Sequence, residues 1–372
     1  MRLLIINVYY QDLIDKVYRQ NSGLAHQPFD VQHETWMGSL LGSADFYSHN
    51  LRRLGHEAKD LVINIEPMQR QWAKEHGVKV GRTEWRMRMR RGVVPWFNRF
   101  RVDDWMWATL AAQIRDYRPD VLYCMPVGIM TQEFLSSIRP YVRMIVGQHA
   151  ATPLTEDIRS FDLLFSAVAS QVDSFRSRGT RSELLRLAFE PRFLDKITKR
   201  PKTSDIVFVG GFSGIHEGGT EILERLTNIG KVSIWGYGVD KLVPDSPIRE
   251  LCQGILWGYP MYQALMDGRL VFNRHSSTAD LLYASNLRLY EGTGVGSCLL
   301  TDWKPNLASL FEPEKEVVTY STPDEAIEKA KYYLGHLEEL EGIAAAGQRR
   351  TLKEHTWYHR MQEMVEIVSR YV

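Results

Sequence analysis

The chain has 372 residues, 44% apolar and 24% charged, with a formal net charge of +1, which suits two ordinary domains with buried cores and sets aside disordered and fibrous classes. So even a charge balance gives no field to draw nucleic acid or a strongly acidic partner. Three cysteines, Cys124, Cys252 and Cys298, lie far apart in apolar segments, the usage of reduced thiols in a cytoplasmic protein and not of a disulfide framework or a zinc cluster.

In chain order, Arg2 to Val8 is too short for a secretory signal core and has no small-residue cleavage site, so it reads as a first buried parallel strand. No apolar run approaches the roughly 20 residues of a membrane span. Tyr47, Leu51 and Leu54 repeat at helical spacing, so Ser43 to Gly55 predicts a helix that Gly55 can close. Leu61–Asn64 is a candidate strand. Residues Arg82 to Arg101 break the pattern, with seven arginines against one acid and Trp85, Met87, Met89, Trp96 and Phe97 interleaved. Such a stretch suits an anionic membrane surface or a charged acceptor, and equally a solvated loop anchored by its aromatics. Trp105–Tyr117 predicts a helix that runs through Pro119 into a strand ending near Cys124. Apolar runs at 144–146, 163–165 and 184–187 supply more strands, and such alternation implies a parallel sheet covered on both faces.

Residues 191–204 are polar and basic and suit a linker after a first domain at 1–190. The alternation then restarts. Strands are expected at 206–209, 232–235, 270–272, 298–300 and 317–319, with helices at 325–333 and 338–355 and a last amphipathic helix at 357–371. This assigns a second domain to 205–356 and a terminal helix to 357–372.

Within that second domain, Ser285 is the expected N-cap for a helix opening near Asn286, and Gly296 the residue expected to end it. Arg288, Glu291 and Gly292 stand three and four positions apart and share one face. A helix start with bare backbone and a guanidinium attracts phosphate, although an Arg–Glu pair with glycines for close packing gives the same spacing. Gly210 and Gly211, on the turn after the 206–209 strand, let backbone N–H groups approach an anion, and equally serve a tight turn. Gly211 to His216 is not a dinucleotide fingerprint, which argues against a nucleotide-dependent oxidoreductase.

Val207-Phe-Val-Gly-Gly211, Phe272-Asn-Arg-His275, the run Asn286 to Asp302, Phe311 to Val318 and Gly347 to Trp357 follow one another in this order. The series resembles the carboxyl-terminal domain of the CgeB/YkvP-like branch of the group 1 glycosyltransferases. The likeness covers roughly residues 204–368. The first 190 residues share only Asp45 to Leu51 and Glu66 to Trp72.

The resemblance implies the GT-B arrangement, an α/β fold of two Rossmann-like parallel-sheet domains facing across a cleft, with the last helix crossing back to the first domain. It also implies sugar transfer from a nucleoside diphosphate sugar held mainly by the second domain, with no metal and no cofactor besides that donor. Charge on the departing diphosphate is the chief demand, and Gly210, Gly211, Arg274 and Arg288 are assigned to it, with His216 in the same loop. Family members place an acid at the position of Glu291 for the ribose hydroxyls, and Gly292 adjoins it. The segment Trp257, Gly258 and Tyr259 is assigned to the base. Retaining members often carry a second glutamate eight positions before the first; here that residue is Tyr283, which leaves the stereochemistry open. For the acceptor proton, a base within hydrogen-bond reach is needed. Asp45, at a helix start, and His149, after a buried strand, are the candidates. Arg86, Arg88, Arg90 and Arg91 are expected to meet a glycan, lipid-linked or small-molecule acceptor, or the inner face of a membrane as a peripheral contact. A catalytically silent nucleotide-sugar or glycan-binding protein is the competing reading.

Overall fold

The computed structural model describes residues 1–90, 94–150, 154–212, 217–275 and 283–372. It divides into two compact units, Met1–Gln148 with Thr155–Leu163 and Val372, and His149–Leu154 with Leu164–Tyr371.

In the first unit, β1 (Arg2–Asn7), β2 (Glu57–Val62), β3 (Arg82–Arg90), β4 (Val94–Val102), β5 (Val121–Cys124) and β6 (Met144–Gln148) follow in sequence. Parallel pairing runs β2-β1-β5-β6. Leu3, Leu4, Ile5 and Ile6 are all buried, because a parallel strand with helices on both sides hides every side chain rather than alternate ones. The expected helix at 43–55 is present as Phe46–Arg53, and that at 105–117 matches Trp105–Tyr117. The basic stretch is not a loop: β3 and β4 pair antiparallel, with Arg86 opposite Asn98 and Arg88 opposite Trp96.

A buried carboxyl marks this unit. Asp60, on β2, is 1% exposed; it accepts from the Ser48 N–H at 2.9 Å, and burial pushes its pKa up from 3.8 to about 7. The folded chain therefore holds this proton where the unfolded chain releases it. The contribution is complete below the unfolded value and is lost as pH rises through about 7. Asp60→Asn, which fixes the neutral state, is expected to flatten the stability slope between pH 4 and 7 and to stabilise by roughly 1–3 kcal/mol above it. Chemical denaturation across pH tests this, and an unaltered slope would refute it.

In the second unit, β7 (Leu163–Ser166) pairs in parallel with β8 (Ser182–Leu184). The expected strand at 184–187 thus ends early. Then come β9 (Ser204–Gly211), β10 (Val232–Tyr237), β11 (Gly268–Phe272), β12 (Cys298–Asp302) and β13 (Val318–Tyr320), in a parallel sheet of order β10-β9-β11-β12-β13. Ile206, Phe208, Leu270, Phe272, Cys298 and Leu300 belong to one buried cluster with residues of helices Glu217–Leu226, Pro323–Gly335 and Leu337–Glu354. Val271 and Leu299 alternate with them and point to the other face, where helix Arg288–Gly294 packs. A Cβ on Gly292 would meet Leu299 at 2.9 Å and Val271 at 3.3 Å, so glycine there brings the helix close to the sheet.

The final helix, Trp357–Val368, opens on a capping box of Thr356 and His359. It is tied to the stretch after β8: the Trp357 N–H donates to the Phe189 carbonyl at 3.0 Å and Arg360 Nε to the Leu187 carbonyl at 3.2 Å. Among the described residues no helix is long and apolar enough to cross a membrane.

Candidate functional site

Open α/β sheets gather ligands at the carboxyl ends of their strands. In the second unit a cavity of about 310 Å³ sits there, walled by Gly210 and Gly211 at the end of β9, Asn273 and Arg274 just past β11, and Arg288 and Glu291 on the short helix. That volume is at the small end of the small-molecule range.

Arg274 is 9% exposed, with Nη1 donating to Thr220 Oγ1 at 3.1 Å, Nη2 to the Gly211 carbonyl at 3.3 Å, and its guanidinium 5.4 Å from the Phe208 ring centre. Burial lowers its pKa to about 10, so it keeps its charge at neutral pH. Room for its stem depends on Gly219, where a Cβ would lie 1.9 Å from Arg274 Cδ.

Arg288 is held differently. Its Nη2 donates to the Val209 carbonyl at 3.0 Å, while Nη1 pairs with Glu291 Oε2 at 2.6 Å. The other carboxylate oxygen of Glu291 accepts from the Tyr262 hydroxyl at 3.0 Å. Tyr262 comes from helix Tyr259–Asp267, which starts after Gly258 at φ 62°, a backbone that favours glycine. Phe193 stacks on the Tyr262 ring at 3.6 Å. Burial, and then the charge of Glu291, hold that phenol protonated. Glu291 is therefore an oriented acid paired with Arg288 and 4% exposed, and Arg274 and Arg288 are the cations among the described residues that line the cavity.

Beside this group, Asn286 Nδ2 donates to Asn273 Oδ1 at 2.9 Å and to the Arg274 carbonyl at 3.0 Å. Asn286 thus ties the loop after β11 to the segment entering the helix. His275 Nδ1 meets Asp302 Oδ1 at 2.6 Å, and its Nε2 is buried without a hydrogen-bond partner among the described residues. Burial pushes the Asp302 pKa up, but the His275 bond and the His275 and Lys304 charges outweigh it, leaving Asp302 below its ordinary value. An ionised Asp302 accepts, so the proton sits on His275 Nδ1.

The structure brings Gly210, Gly211, Arg274, Arg288 and Glu291 together around one cavity. Trp257, Gly258, Tyr259 and Gly292 do not line it. Trp257 is half-buried, Tyr259 packs edge-on against Phe193 at 5.6 Å, and Gly292 faces the sheet. Asp45 stands at the N-cap position of helix Phe46–Arg53 but makes no capping bond with its side chain, which lies 3.8 Å from Arg52. It belongs to the first unit, and His149, whose N–H donates to the Phe165 carbonyl, to the second. Arg86, Arg88 and Arg90 are on β3. His216 and Arg91 lie outside the described residues. Ser285 is not the N-cap: the helix begins at Arg288 with Leu287 at the cap position, since Asn286 is engaged with Asn273 and Arg274. Gly296, at φ 77°, follows the helix end as expected.

Asn273, Asn286 and Tyr262 join the site without a functional signal of their own in the sequence. The two asparagines fall inside the quoted motifs. For Tyr262 the chain offers no local signal, because its partner is 29 residues away. Among the described residues, no group of three or more His, Cys, Asp or Glu is placed to hold a metal ion.

Residues 220–366 match a family model described as glycosyl transferase-like. Among curated proteins no sequence matches this chain. Solved structures with the same fold include AviGT4, a glycosyltransferase involved in avilamycin A biosynthesis, at 14% identity and a TM-score of 0.58, covering 100% of this chain and 98% of that one. Another is Anabaena Alr3699/HepE in complex with UDP-glucose, at 13% identity and a TM-score of 0.55, with both chains covered in full. A third is the sucrose-phosphate synthase of Thermosynechococcus elongatus, at 8% identity and a TM-score of 0.56, covering 100% of this chain and 99% of that one. The fold is that of the GT-B glycosyltransferases, two parallel-sheet α/β domains, and the stretch matched by the family model lies within the second unit.

Proposed function

We propose that the protein is a glycosyltransferase of the CgeB/YkvP-like branch that moves a sugar from a nucleoside diphosphate sugar to a glycan, lipid-linked or small-molecule acceptor, without a metal. The observation that carries this reading is the convergence of Gly210, Gly211, Arg274, Arg288 and Glu291 on one cavity at the carboxyl ends of β9 and β11. Preorganised cations and backbone donors aimed at a departing diphosphate supply the largest part of such catalysis. Support comes from the glycosyl transferase-like match over residues 220–366 and from the UDP-glucose in the Anabaena structure.

In this reading Arg274 and the glycine backbone take the diphosphate, with Arg288 and His216 beside them. Glu291 takes the ribose hydroxyls, and Trp257, Gly258 and Tyr259 the base. Asp45 or His149 receives the acceptor proton. Arg86, Arg88, Arg90 and Arg91 meet the acceptor or a membrane surface. The domain boundary falls at 191–204. Cytoplasmic residence, with peripheral contact at the inner membrane face, agrees with three cysteines that form no disulfide.

Thermal unfolding with UDP, GDP, dTDP and CMP sugars tests the donor. One class is expected to stabilise the protein by about 2.7 kcal/mol at one hundred times its dissociation constant, with no change on adding EDTA. No stabilisation by any of them would sink donor binding. Stabilisation without hydrolysis or transfer would leave a binding protein in place of an enzyme.

A further inference from the structure

A second cavity of the same unit, of about 240 Å³, borrows its wall from the stretch that lines the first. Tyr283, Ala284 and Ser285 face the second cavity, whereas Asn286, Leu287 and Arg288 face the donor cavity. The wall is braced: the Ala284 N–H donates to Asn306 Oδ1 at 2.6 Å, and Asn306 Nδ2 to the Ala284 carbonyl at 3.0 Å.

Arg186, just past β8, also lines this cavity and is half-buried. Among the described residues its guanidinium makes no hydrogen bond or ion pair, and no acid lines the cavity. Most of the remaining lining is apolar, with Ala167, Leu184 and Leu187. Tyr290, buried at the same cavity, has its phenol pKa raised by burial, and the charges of Arg360 and Arg186 oppose that rise. A guanidinium partly withdrawn from water and left without a counter-ion is unfavourable, and its planar fork of donors matches a carboxylate or phosphate. The hydroxyl groups of Tyr283 and Ser285 at the same cavity suit a sugar ring.

We propose that this cavity is a second subsite, in which Arg186 takes the carboxylate or phosphate of a sugar acid or sugar phosphate. The proposal rests on the glycosyltransferase reading only for the origin of that anion, the donor's own sugar or the acceptor. Its position along the 283–288 wall places it next to the donor cavity in sequence and allows either.

Calorimetric titration of the full chain separates these cases. Glucose, glucuronate and glucose 6-phosphate are titrated with and without UDP, and UDP-glucose is compared with UDP-glucuronate. The wild type is expected to prefer an anionic sugar to its neutral counterpart, and inorganic phosphate to compete with it. Arg186→Gln is expected to lose that preference by about ten-fold or more, Arg186→Lys to keep part of it, and UDP affinity to stay unchanged in both. A loss confined to UDP-glucuronate assigns the anion to the donor, and a loss for glucuronate or glucose 6-phosphate assigns it to the acceptor. Equal affinity for neutral and charged sugars in the wild type, or an undiminished preference in a folded Arg186→Gln, overturns the proposal. Failure of UDP to bind counts against the glycosyltransferase reading alone, since the titrations without UDP still read the anion preference.

Discussion

Arg274→Met is expected to weaken binding of the nucleoside diphosphate by roughly 10- to 150-fold, the value of a charge-assisted hydrogen bond of about 1.5–3 kcal/mol. Methionine keeps an apolar stem against Phe208, so the loss reports the guanidinium and not the packing. Arg288→Met removes a guanidinium that is paired with Glu291 and is also expected to weaken nucleotide binding. Calorimetry with UDP on both variants measures each loss. An unchanged dissociation constant in Arg274→Met would remove the diphosphate from this cavity.

Glu291→Ala carries the second large effect, and it falls on stability as well as on binding. The substitution leaves the Arg288 guanidinium without its counter-ion and the Tyr262 hydroxyl without its acceptor, both in buried surroundings. Breaking such a pair from one side costs about 3–5 kcal/mol. The double variant Glu291→Ala with Arg288→Met is expected to recover much of that loss while donor binding stays absent, because the stranded charge has gone but the polar site has not returned. Urea unfolding measures the first quantity and nucleotide titration the second. A single variant as stable as the wild type would show that the pair is better solvated than its 5% and 14% side-chain exposures indicate.

Much of the framework was legible because buried parallel strands write themselves as unbroken apolar runs. Val207-Phe-Val and Cys298-Leu-Leu300 are examples, and both are strands. Gly296 was legible for a different reason, since a helix end at positive φ asks for that residue. Arg274, Arg288 and Glu291 could be placed near one another through the order of motifs. Their partners could not. Tyr262 reaches Glu291 across two helices, and the Val209 carbonyl reaches Arg288 from a strand 79 residues earlier; neither contact has a local pattern. The start of the Arg288 helix was misplaced because Asn286 spends its side chain on a tertiary bond that competes with helix opening. In Arg82 to Arg101 the density of charge hid a plain alternation, Arg86-Met-Arg-Met-Arg90, whose period of two is that of a strand.

The notch that Gly219 leaves for the Arg274 stem makes those two positions a single heritable trait. A lineage that acquired alanine or anything larger at 219 would have to retract or replace the arginine, and one that lost the arginine would be released from glycine. Under the proposed role of Arg274, relatives that keep both are the ones expected to handle pyrophosphate, and joint replacement would mark descendants turned to another use.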